Sequence, residues 1–163
     1  IFIAGHNGMV GSSIIRYFKN LGLNKIITQS RKKLDLTNWN KVVKFLKKTK
    51  PDIVVNCAGK VGGILANTNY PVEFLSENLS IQNNLITQSY KSGIKELLFL
   101  GSSCIYPKNS KQPMHESELL SGHLQPNNEP YAIAKIAGIK LCESYNREYG
   151  TDYRSVMPIR ENI

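Results

Sequence analysis

The sequence predicts an α/β fold built on a doubly wound parallel sheet. Short apolar, β-branched runs alternate with helix-period segments along the whole chain, which is the pattern of strand–helix–strand units. The first apolar run leads directly into closely spaced glycines and then a helical segment. Right-handed crossovers between such units place ligands at the carboxyl ends of the strands.

Taken in order, strands are expected at Ile1–Ala4, Lys25–Gln29, Asp52–Asn56, Glu96–Gly101 and Tyr153–Met157. Helices are expected between them at Met9–Asn20, Asn38–Lys48, Val72–Ser92 and Tyr131–Tyr149. Thr37 suits the N-cap of the second helix and Gly93 the C-cap of the third. Ser102–Glu129 holds Pro107, Pro113 and Pro126 and shows no periodicity. A connection of that length after a strand's carboxyl end is expected to carry function.

With 163 residues, 41% hydrophobic and 20% charged, the chain suits one globular domain, placed at residues 1–158. No apolar run is long enough to span a membrane, so no membrane partner is expected. The chain opens on Ile1 inside an apolar run, and its true N-terminus is expected to lie upstream. Cys57, Cys104 and Cys142 form no CxxC pair, and His6, His115 and His123 do not combine with them at metal-ligand spacing. No metal is expected, and a reducing, cytoplasmic location is. The net charge of +9 lacks any aromatic–basic interleaving and reads as a lysine-rich solvated surface, not a nucleic-acid interface.

Gly5-His6-Asn7-Gly8-Met9-Val10-Gly11 gives a GxxGxxG spacing in strand–turn–helix context. Such glycines let backbone N–H groups approach a pyrophosphate at the helix N-terminus, the mark of a Rossmann-like dinucleotide site. The second strand leads into Ser30-Arg31-Lys32-Lys33 with no acid before Asp35. A cation there suits the 2′-phosphate of NADP(H) and cannot replace the carboxylate that binds the ribose of NAD. Asn56-Cys57-Ala58-Gly59 closes the third strand with small residues, either as a tight strand exit or as a bed for adenine and ribose.

Tyr131-Ala132-Ile133-Ala134-Lys135 is a YxxxK pattern on a helix, preceded by Pro130 at a helix start. Positions i and i+4 share a face, so phenol and ammonium point the same way. A phenol near pKa 10 needs help to act near neutrality. A neighbouring ammonium, the helix N-terminus and a bound nicotinamide are expected to lower that value. Ser102 emerges from the end of the fourth strand, in the order Ser, Tyr, Lys, where its hydroxyl would hold a substrate carbonyl against the phenol. Cys104 reads either as a small buried residue or as a thiolate base for an acidic C–H.

The segments Ile3–Gly11, Lys60–Ile64, Gly101–Pro107 and Asn128–Asn146 strongly resemble the GDP-L-fucose synthase family of extended short-chain dehydrogenases. The resemblance implies an NADPH-dependent 3,5-epimerase and 4-reductase acting on GDP-4-keto-6-deoxy-D-mannose, forming homodimers through paired long helices. By the same resemblance, Tyr131 is the acid–base residue, Lys135 its partner and cofactor contact, Ser102 the carbonyl-orienting hydroxyl and Cys104 the epimerisation base. Gly5–Gly11, Arg31, Asp35, Leu36, Ala58, Leu100, Gly101, Ser102, Ser103, Lys135 and Pro158 would then line NADP(H). Asn7 departs from the family's Arg, which weakens the expected grip on the 2′-phosphate. Ile159–Ile163 departs from the family pattern as a divergent tail, and the substrate domain with its epimerisation acid is expected to be absent. The chain alone is therefore expected to be inactive. The rival expectations are another sugar-nucleotide epimerase or dehydratase, and a non-catalytic NADP-binding fragment.

Overall fold

Four parallel strands form one sheet in the order β1 (Phe2–Ala4), β2 (Ile53–Asn56), β3 (Glu96–Leu100) and β4 (Asp152–Val156). The computed structural model describes residues 1–158. The expected divergent tail at Ile159–Ile163 lies outside the described residues. Five α-helices accompany the strands: α1 (Met9–Asn20), α2 (Trp39–Thr49), α3 (Ile64–Asn69), α4 (Pro71–Lys91) and α5 (Glu129–Tyr149). Register runs Phe2, Val54, Leu97, Tyr153 straight across the sheet, and all four side chains are buried in the core. Helix α4 lies between α2 and α5 and fills that face with Ile81, Leu85 and Ile86.

The expected strand at Lys25–Gln29 reduces to one bridge, Ile27 against Phe2. Its N–H donates to the Ile1 carbonyl and its carbonyl accepts from the Ile3 N–H. The segment lies at the sheet's edge beyond β1 and turns away at Ser30, whose carbonyl accepts from the N–H groups of Lys33 and Leu34. Because β1 leads to this edge by α1 while the chain returns on the other side at β2, the glycine loop stands where the winding direction switches.

Punctuation sets the helix ends. Asn38, not Thr37, caps α2, its side chain accepting from the Lys41 N–H at 3.0 Å. Thr37 is drawn instead into a turn with Asp35, whose carboxylate accepts from both its N–H and its hydroxyl. Ser92 is the last residue of the α4 cap, and Gly93 follows it at φ 78. The Ile94 N–H then reaches back to the Ser89 carbonyl, closing the helix as a left-handed glycine permits. Short 3-10 turns at Ser103–Ile105, Glu116–Glu118 and Pro126–Asn128 order the Ser102–Glu129 connection. Helix α3 was not expected, and its six residues are too few to show a period. Among the described residues, no helix is long and apolar enough to cross a membrane.

Candidate functional site

A groove of about 270 Å³ opens at the carboxyl ends of the strands, between the glycine loop and the segment following Ile27. Two glycines, Gly5 on its floor and Gly11 behind it, let the backbone close up here. Gly5 has φ +77, and a side chain there would meet the Cys57 backbone at 2.6 Å. A side chain at Gly11 would strike the Gly5 carbonyl. Strand β1, its loop and helix α1 can therefore come this close only as glycine backbone. Gly8 caps α1 with no side-chain hydrogen bond, leaving the first N–H groups of the helix without a side-chain acceptor. Such a terminus fits a phosphate.

Of the residues expected to hold the cofactor, Gly5, His6, Asn7, Gly8, Arg31, Asp35, Leu36 and Ala58 line this groove. Met9, Val10 and Gly11 belong to α1 and do not line it. Leu100, Gly101, Ser103 and Lys135 lie beyond it at the end of β3, and Pro158 is exposed just past β4. Gln29, Lys60, Val61 and Ile81 also line the groove, although no motif had assigned them to it.

The cationic side of the groove is already paired. Arg31 donates to Glu77 at 3.1 Å, with its side chain 71% exposed. Lys60 donates to Glu73 at 2.6 Å and stands 4.0 Å from Glu77. Buried Asn78 fixes the Lys60 backbone from the same helix, accepting from its N–H at 2.9 Å and donating to its carbonyl at 3.0 Å. A side chain on Gly59 would meet the Asn78 oxygen at 2.9 Å, so this clamp also requires glycine there. Asp35 is the nearest carboxylate after Ile27 in the chain, and Thr37 consumes it. The two Thr37 hydrogen bonds hold its carboxyl below the ordinary pKa.

At the end of β3, helix α5 packs against the 3-10 turn that begins at Ser103. The Ser102 hydroxyl accepts from the Cys104 N–H at 3.4 Å and faces the Tyr131 phenol closely enough to favour its ionised form. The Cys104 thiol stands near the same phenol and opposes that ionisation. Lys135, only 5% exposed, donates to the Leu100 carbonyl at 2.8 Å and sits 5.8 Å from the centre of the Tyr131 ring. Ser102, Cys104, Tyr131 and Lys135 are thus brought together by one strand end and one helix. Buried Gln82 of α4 donates to the Ala134 carbonyl and ties α5 in place.

One electrostatic expectation is corrected. Tyr131 is raised above the ordinary phenol pKa, first by burial and then by Cys104, with Ser102 pulling the other way. Burial thus outweighs the Ser102 contact, while the Lys135 ammonium donates to the Leu100 carbonyl. Burial in turn lowers Lys135 to about 8. The same burial raises the Cys57 thiol to about 11, against the pull of Lys135. Among the described residues, no cluster of three or more His, Cys, Asp or Glu side chains could hold a metal ion.

Residues 1–160 match the model of the NAD dependent epimerase/dehydratase family. The chain is 56% identical over 158 residues to GDP-L-fucose synthase of Escherichia coli strain K12, covering 97% of this chain and 49% of that protein. Among solved structures it resembles a GDP-D-glycero-L-gluco-heptose synthase from Campylobacter jejuni determined in the presence of NADPH. There the TM-score is 0.93 and the identity 39%, over 96% of this chain and 46% of that one. It also resembles a GDP-L-fucose synthetase from Naegleria fowleri bound to NADP, with a TM-score of 0.87 and 28% identity, over 96% and 52% of the two chains. The chain spans about half the length of the curated relatives it matches. It belongs to the NAD dependent epimerase/dehydratase family.

Proposed function

We propose that this member of the family is the NADP(H)-binding part of an enzyme that converts GDP-4-keto-6-deoxy-D-mannose to GDP-L-fucose by epimerisation and reduction. The observation that carries the reading is the meeting of Ser102, Cys104, Tyr131 and Lys135 at the end of β3, next to the glycine-floored groove. The residues present fit a dinucleotide. The uncapped start of α1 would take the pyrophosphate, Arg31 the 2′-phosphate, and Ala58 and Ile81 the apolar adenosine face. Leu100–Ser103, Lys135 and Pro158 would face the nicotinamide half. Bound NADPH would supply the hydride.

In this reading the Ser102 hydroxyl donates to the substrate's 4-keto oxygen and holds it beside the phenol. Reduction requires a proton on that oxygen, so Tyr131 must arrive protonated, and its raised pKa suits a donor. Lys135, held by the Leu100 carbonyl on the same face of α5, would serve as the cofactor contact beside that phenol. Cys104, as a thiolate, would remove a proton from the carbon next to the ketone, and the resulting enolate would take a proton on its other face from an acid of the substrate domain. This carbon is not the one that receives hydride. We place residues 1–158 as the cofactor-binding domain and the homodimer contacts on the groove between α4 and α5. The free thiols of Cys57, Cys104 and Cys142 suit the cytoplasm.

Calorimetric titration tests the cofactor: NADPH should bind at least about tenfold tighter than NADH, a gap of roughly 1.4 kcal/mol. Equal affinities would remove the role given to Arg31. Activity is tested in a protein carrying this chain together with the remainder of its relatives' length. Tyr131→Phe should abolish reduction but leave solvent-proton exchange at the epimerised carbons, and Cys104→Ser should lose that exchange. Equal loss of both activities in both variants would end the separate assignments. The likeness to the Campylobacter heptose synthase favours a second reading, a GDP-heptose substrate. Turnover of a GDP-heptose in preference to the deoxy sugar would select it.

A further inference from the structure

The mouth of the groove carries two cations, Arg31 and Lys60, and two carboxylates, Glu73 and Glu77. With Asp35 also lining the groove, the carboxylates here outnumber these two cations, which is unexpected where a polyanion is to bind. The carboxylates stand one turn apart on the same face of α4, and Asn78 from that helix fixes the Lys60 backbone. Glu77 is the more fixed partner of Arg31: its side chain is 25% exposed against 71% for the arginine. The pair is made through a single guanidinium nitrogen at 3.1 Å.

We propose that Glu77 is a specificity-determining residue that competes with a cofactor 2′-phosphate for Arg31 and so limits the preference for NADPH over NADH, a role that rests on the cofactor reading above. A guanidinium binds phosphate best as a two-pronged fork, and a carboxylate occupying one prong opposes that geometry. The Glu77 charge also repels a dianionic phosphate held at the same arginine. NADH carries no 2′-phosphate and meets neither effect. Glu73 shares Lys60 with Glu77 but does not pair with Arg31, and so serves as the control for simple loss of one negative charge near Lys60.

The test is titration of the 163-residue chain with NADPH, NADH, 2′,5′-ADP and 5′-ADP, following protein fluorescence. Glu77→Gln should tighten NADPH and 2′,5′-ADP about fivefold, the scale of one exposed ion pair, and leave NADH and 5′-ADP unchanged. Glu73→Gln should change all four little. In an Arg31→Ala background the effect of Glu77→Gln should vanish, since the contested partner is gone. Weaker NADPH binding by Glu77→Gln would overturn the proposal and make Glu77 a support for Arg31. Equal tightening of NADPH and NADH, or an effect that survives Arg31→Ala, would also overturn it as mere charge removal. If NADPH binds and Glu77→Gln changes nothing, the competition fails while the cofactor reading stands. If neither dinucleotide binds any variant, the cofactor reading itself falls, and the competition with it.

Discussion

Burying the Lys135 ammonium behind one carbonyl acceptor lowers its pKa to about 8, and this makes stability depend on pH in a definite direction. Below pH 8 the folded chain carries a poorly solvated charge that the unfolded chain solvates freely. Between about 8 and the ordinary 10.5 the unfolded state holds more protons, so this group's contribution to stability rises with pH. The drop corresponds to roughly 3 kcal/mol, an upper limit because the Leu100 carbonyl is satisfied by the same ammonium. Lys135→Met should therefore stabilise the chain by about 1–2 kcal/mol at pH 7, with the gain fading towards pH 10. Urea unfolding of both proteins across that range measures it. A gain that does not shrink with pH would mean that packing, not charge, is responsible. A residue that costs stability where it stands is best explained by the site it serves.

The unit of β1, its loop and α1 is the element on which the groove depends, and its two inner glycines differ in kind from a glycine elsewhere. Gly22 also has positive φ, but a side chain there would meet nothing within 4 Å, so Gly22→Ala should cost about 1 kcal/mol of conformational strain alone. Gly5→Ala adds collision with the Cys57 backbone and should cost roughly 2–4 kcal/mol. Chemical unfolding of the two variants gives the comparison, and equal losses would show that the loop yields easily. The N-cap offers a second check: Asn38→Ala should destabilise by about 1 kcal/mol through loss of its bond to the Lys41 N–H. This element was legible in the sequence because glycine spacing and helical period both write themselves locally, and the Met9–Asn20 helix was expected with those bounds. Tyr131, Lys135 and Ser102 were legible for the same reason, as a short pattern and a strand end. What could not be read are contacts between distant positions. Arg31 and Glu77 lie 46 residues apart, and Asn78 reaches Lys60 across 18. The Lys25–Gln29 strand failed because apolar composition promises pairing that an edge segment need not complete.

At the scale of the whole molecule, two surfaces compete to explain any association. Right-handed crossovers place α2, α4 and α5 on one face of the sheet, with α1 on the other. The groove between α4 and α5 is walled by Leu79, Ala137 and Leu141. Two of its polar residues are turned inward, Asn84 donating to the carbonyls of Leu36 and Thr37 and Gln82 to that of Ala134, while Thr37, Ser80 and exposed Asn83 also line it. A second copy would therefore meet Leu79, Ala137 and Leu141 beside the polar Ser80 and Asn83, a mixed lining that suits a two-fold contact. The other surface is the shoulder around α3, where Val61, Ile64, Leu65 and Val72 are 68–75% exposed. Patches of this kind favour association without a fixed stoichiometry, and a net charge of +9 opposes it. Sedimentation equilibrium should therefore find a species that stops at two chains. Leu141→Glu should return it to a monomer by burying an unpaired carboxylate in the groove, whereas Leu65→Glu should leave the dimer and only raise solubility. If Leu65→Glu dissociates the dimer and Leu141→Glu does not, the contact lies on the shoulder, and the helix pair must be given up as the interface.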